Sequence, residues 1–180
     1  MAEHERPVHI KAGHLFDTTP VRLDLWRLLL IFLADREFAT LTQDEFFADG
    51  YQQLLLGLGS EFAEDEASRI LLSSAIALRV LDDRDGVLEH FGPCGELQAN
   101  LQAGDTLPLT LREACNKIVH AEQMNYDVER LDGGPIDQPG ISPAYIRPLL
   151  YLYGTHRKTK WRCVLDVVSY VRGAAAALRA

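Results

Sequence analysis

The hydrophobic period of this 180-residue chain changes near Asn125, ahead of a last helical stretch at the C-terminus. Before that point apolar residues recur at helical spacing, and after it they alternate with a period of two. Helical stripes followed by strand faces, rather than the two interleaved, define an α+β chain. The expected fold is a predominantly helical bundle with a small three-stranded antiparallel meander and a C-terminal helix.

The helical half divides at local signals. Pro20 suits the first turn of a helix over residues 21–34, where Leu25, Leu28, Leu29 and Phe32 form a stripe that Trp26, Leu30 and Leu33 widen. So wide a stripe predicts a helix covered on most sides. Thr42-Gln43-Asp44-Glu45 matches a capping box and predicts a second helix, ended by Gly57 and Gly59. A third runs over residues 60–83, with acids in its first turns and an apolar middle at 70–81, as befits the central helix of a bundle. Residues 87–105 read as a Gly- and Pro-punctuated connection with short helices at 88–91 and 96–101. Thr110-Leu111-Arg112-Glu113 is another capping box, opening a fourth helix over 111–122.

The second half predicts strands at 126–131, 149–153 and 160–165, the last with Trp161, Cys163 and Leu165 on one face and Lys160 and Arg162 on the other. Residues 154–159 are the expected turn, and Asp166 the expected cap of a final helix over 167–178. Domain organisation follows: an extended arm over 1–20, carrying His4, His9 and His14, then one domain over 21–180. Within it the bundle spans 21–122, the meander 125–165 and the last helix 166–179.

Composition narrows the setting. Apolar residues make up 47% and charged residues 24%, an ordinary globular balance. Cys94, Cys115 and Cys163 are far apart, with no Cys-x-x-Cys, so neither a zinc ribbon nor a redox motif is indicated, and the odd count suits a reducing cytosol. The longest apolar run, residues 28–34, is far short of the ~20 residues that span a bilayer. The expected setting is cytoplasmic, with no membrane partner. The three histidines of the arm could bind a metal, but a tail is the favoured reading, and no cofactor or metal site is expected. Asp82-Asp83-Arg84-Asp85-Gly86 fails as a calcium loop, because Leu81 and Gly92 would fall at its first and twelfth positions. It reads as a solvated helix terminus.

The net charge is −8, which disfavours nucleic acid over the surface as a whole. Residues 145–162 depart from that balance, holding Arg147, Arg157, Lys158, Lys160 and Arg162 and no acid. These five cations are candidate phosphate contacts, with Tyr151 or Trp161 offering a stacking face. The alternative is a charged turn guarding a sheet edge, with Trp161 facing inward.

Arg112, Asn116 and His120 are spaced i, i+4 and i+8, and so share one polar stripe of the fourth helix. A guanidinium, an amide and an imidazole together can bind a phosphate and move a proton. They can equally be a solvated face, with Arg112 paired to acids of the third helix. The stretch Leu111-Arg112-Glu113-Ala114-Cys115-Asn116-Lys117-Ile118-Val119-His120-Ala121 resembles the signature helix of HEPN-domain proteins. That superfamily comprises helical bundles, often dimeric, and many members are metal-independent ribonucleases. The resemblance implies Arg112 and His120 as a catalytic pair, Asn116 as helper, RNA as substrate and a homodimer that brings two such helices together. It departs from the family pattern in having seven residues between Arg and His and Glu113 after the Arg. The other reading is a non-enzymatic protein–protein interaction module, an adaptor or antitoxin-like protein that binds a partner through its acidic surface or apolar helices.

Overall fold

A computed structural model describes residues 17–47, 54–136 and 142–179. Among them, α1 spans Thr19–Leu41, α2 Leu54–Asp85, α3 Leu111–Val119 and α4 Val167–Ala177, while β1 spans Gly95–Gln98, β2 Leu107–Pro108, β3 Gln123–Arg130, β4 Ala144–His156 and β5 Thr159–Asp166. The strands form one antiparallel sheet in the order β2-β1-β5-β4-β3. The helices gather on one of its faces, where Leu150, Leu152, Trp161, Cys163 and Leu165 join Leu25, Leu28, Ile70, Leu78 and Tyr170 in the core.

This corrects the expected three-stranded meander beside a bundle: the sheet has five strands. Residues 96–101 begin in a strand rather than a helix. β1 has one buried apolar residue, Leu97, so no alternation marks it. Its place is fixed by tertiary pairing, Leu97 lying opposite Cys163 and Gly95 opposite Leu165. Gly95 has φ +148°, and a Cβ there would overlap the carbonyl oxygen of Val164. Only glycine allows so close an approach. β2 is two residues long and carries Pro108, as suits a blunted sheet edge.

The helices are also fewer and longer in this region than expected. α1 continues to Leu41, and Thr42 leads only into a three-residue 3-10 turn, Gln43–Glu45, which its side chain does not cap; its hydroxyl donates to the carbonyl of Ala39. Glu45 instead caps α2, its Oε2 accepting the N–H groups of Leu55 at 3.0 Å and Leu56 at 3.2 Å. α2 then runs unbroken through Gly57 and Gly59. A Cβ on Gly59 would lie 2.7 Å from Cε1 of Phe38, so this glycine serves close packing of α1 against α2 rather than a helix stop. The two helices form an antiparallel pair, with Phe38 beside Gly59 and Asp24 beside Arg69. The other two capping expectations match the geometry. Thr110 Oγ1 accepts from Glu113 N, and Asp166 Oδ1 accepts from Ser169 N. Of the arm at 1–20, residues 1–16 lie outside the described residues, and so do His4, His9 and His14; Thr19 and Pro20 already belong to α1.

The β4–β5 turn is tighter than expected. His156 pairs with Thr159, leaving only Arg157 and Lys158 in the loop, both at positive φ (45° and 73°). Two left-handed residues in a two-residue loop make a type I′ turn, which matches the strand twist. Gly154 lies within the strand, opposite Trp161. Pro148 falls in the irregularity of β4 where the β3 pairing jumps from Tyr126–Leu150 to Val128–Ile146, a position that needs no donor.

Candidate functional site

α3 presents Leu111, Ala114, Cys115 and Ile118 to the core and turns Arg112 and Asn116 outward. Arg112 is held by acids of its own chain. Its Nη1 donates to Glu89 Oε1 at 3.0 Å, and its Nε lies 3.1 Å from Asp82 Oδ2, a charge contact without hydrogen-bond alignment. Asp82 is only 4% exposed, not solvated as its acidic neighbourhood suggested, and its other oxygen accepts the N–H of Leu88. Asn116 donates to Glu113 Oε1 at 3.3 Å. His120 is the exposed C-terminal cap of α3. It follows Arg112 by eight residues, a rise of roughly 12 Å along the helix. The guanidinium is therefore engaged at one end of α3 while the imidazole stands free at the other.

The five cations of residues 145–162 separate into two groups. Arg147 is ion-paired, 3.4 Å from Asp127 Oδ2 and 3.6 Å from Glu129 Oε2. Arg157, Lys158, Lys160 and Arg162 have no ion-pair partner among the described residues, and all four sit at the hairpin end of β4 and β5. Trp161 turns inward, 2% exposed, with the Lys117 ammonium 4.6 Å from its ring centre. Tyr151 turns outward, as does Tyr153, which the sequence reading passed over although it follows Tyr151 by two residues and so shares its face.

These groups meet on the face of the sheet that none of the described helices covers. Across it, Gln98, Arg162, Tyr153 and Gln123 lie in register on four adjacent strands, and Glu96, Val164, Tyr151 and Asn125 form the next row. The Arg162 guanidinium carbon is 5.1 Å from the Tyr151 ring centre and 6.0 Å from that of Tyr153. Its Nε is buried without a hydrogen-bond partner, beside a hollow of about 90 Å³ lined by Glu96, Gln98, Thr106 and Val164. An orphaned donor flanked by two aromatic rings and three further unpaired cations can accept an anionic group together with a flat ring. Acids share this face: Glu96 lines the hollow beside Arg162, Asp127 accepts from the Tyr151 hydroxyl at 3.5 Å, and Asp127 and Glu129 pair with Arg147.

All three thiols are buried, and burial pushes each up to about 12, so none is a nucleophile near neutrality. Among the described residues no helix is long and apolar enough to cross a membrane, and no three His, Cys, Asp or Glu side chains converge as a metal site requires. Comparison with protein-family models, curated proteins and solved structures finds no match to this chain.

Proposed function

We propose that this protein is a non-catalytic RNA-binding domain that holds single-stranded RNA on the open face of its sheet. The observation that carries the reading is the cluster of four cations without acid partners beside the outward rings of Tyr151 and Tyr153. Arg157, Lys158 and Lys160 would track the phosphates, Arg162 would bridge phosphate and base, and the tyrosines would stack bases, whose flat faces tolerate any sequence. The HEPN-like catalytic reading of Arg112, Asn116 and His120 has less support, because Arg112 is already engaged in ion pairs with Asp82 and Glu89.

The test is fluorescence anisotropy with a labelled single-stranded oligoribonucleotide over a range of salt. Four phosphate contacts predict a slope of log affinity against log salt of about −3. Arg162→Ala should weaken binding roughly tenfold, and Tyr153→Ala by a similar factor. Binding that is absent at low salt, or indifferent to both substitutions, overturns the reading. Incubation of the same RNA in EDTA separates it from catalysis: cleavage by the wild type that His120→Ala abolishes would replace it with the HEPN-like one.

A further inference from the structure

The helical layer has an outer face of its own, directed away from the sheet. On α1, Leu23, Trp26, Leu30 and Leu33 recur at helical spacing and are 44–58% exposed. On α2, Leu58, Phe62, Leu72, Ile76 and Val80 do the same at 42–56%. The antiparallel pairing of the two helices, fixed by Phe38 beside Gly59 and Asp24 beside Arg69, sets Leu58 and Phe62 next to the α1 stripe, while the ion pairs of Arg27, Asp24, Arg69 and Glu66 separate it from Leu72, Ile76 and Val80. About half exposed, Leu23, Trp26, Leu30, Leu33, Leu58 and Phe62 leave on the order of 600 Å² of apolar surface open, the share one partner contributes at the lower end of stable interfaces.

We propose that this face joins two copies of the chain in a two-fold symmetric dimer. A two-fold interface must be complementary to itself, so projection and hollow have to lie on one surface. Both are present. Trp26 projects at 56% exposure. Between the helices lies a largely apolar groove of about 300 Å³, where the small residues Ala34, Gly59 and Ala63 leave space between Leu30 and Leu58, with Phe38 and the Asp35 carboxylate in its wall. Positions 26 and 34 are equally far from Leu30, so an axis passing by Leu30 brings Trp26 of each copy over Ala34 of the other. The dimer would direct the two sheets outward on opposite sides. The face includes none of Arg112, Asn116 and His120, and the proposal is independent of RNA binding.

Sedimentation equilibrium of the full chain over a range of concentrations reads the state directly. The expected result is twice the monomer mass of 20.2 kDa. Trp26→Glu, which removes the projection, and Ala34→Arg, which fills the groove, should each give a monomer with an unchanged circular dichroism spectrum. Leu107→Glu, at an exposed apolar position on the sheet edge, should leave the dimer intact. A wild type that is monomeric at micromolar concentrations, or a dimer that persists in both Trp26→Glu and Ala34→Arg, overturns the proposal.

Discussion

Trp161 occupies the space that a side chain on Gly154 would need: a Cβ there would overlap the indole ring and lie 3.0 Å from the carbonyl oxygen of His120. The two residues face each other across β4 and β5 on the buried side of the sheet. Neither neighbour is a flexible side-chain end, since one is a packed ring and the other backbone. Gly154→Ala should therefore cost about 2–3 kcal/mol, the range for overpacking a filled core. Urea unfolding followed by tryptophan fluorescence checks this.

Asp82 joins three elements, since it closes α2, accepts the Leu88 N–H and faces Arg112. Asp82→Ala should destabilise by roughly 2–4 kcal/mol, because it orphans a buried N–H and strips Arg112 of a partner. Arg112→Ala should cost less, about 1–2 kcal/mol, as its guanidinium is partly solvated. A structural Arg112 predicts that this loss appears in denaturant midpoints, with RNA affinity unchanged. A catalytic one predicts lost cleavage with little change in stability.

Asp35 gives the clearest pH dependence. Its Oδ2 accepts the Ile146 N–H at 2.7 Å, but burial outweighs that bond and raises the carboxyl above its ordinary 3.8. A carboxyl raised in the folded state adds stability below the unfolded value, and that stability is lost as pH rises through the folded value. Asp35→Asn keeps an acceptor and removes the charge. It should raise Tm near neutrality, and the gain should shrink as the pH falls toward the ordinary carboxyl value. Differential scanning calorimetry across that range checks the sign.

Cys94, Cys115 and Cys163 should be silent toward a thiol reagent near pH 8 in the native protein and all titrate once it is unfolded. Burial raises each thiol to about 12, so almost no thiolate is present. Rapid reaction of any of them in the native state would contradict the packing around Tyr170, which is fully buried and bonded to Ser74 at 2.9 Å.

Where a segment's own residues decide its structure, the sequence was readable. Thr110 and Asp166 cap α3 and α4, and the alternation at 160–165 correctly turned Trp161 inward and Arg162 outward. Where a distant partner decides, it was not. Gly57 and Gly59 look like a helix stop, yet α2 passes through them because Phe38 packs against Gly59. Thr42 and Glu45 look like one capping box, yet the carboxylate reaches forward to Leu55 and Leu56. β1 has almost no pattern of its own and exists because β5 pairs with it. The same holds for function. Spacing put Arg112 and His120 on one stripe; the alternative pairing of Arg112 with an acid of the preceding long helix is met by Asp82, while the second partner, Glu89, comes from the connection and carries no sequence signal. The wide apolar stripe of α1 predicts a covered helix face, yet no described element of this chain covers its outer residues.

The tip of the β4–β5 hairpin places a guanidinium and an ammonium side chain where Asn-Gly would sit most comfortably, since both residues take a left-handed backbone. Each such residue costs about 1 kcal/mol. Arg157→Asn combined with Lys158→Gly should then yield a stiffer, more heat-resistant hairpin with a weaker hold on polyanions. Thermal tolerance and ligand affinity would move in opposite directions at this one bend.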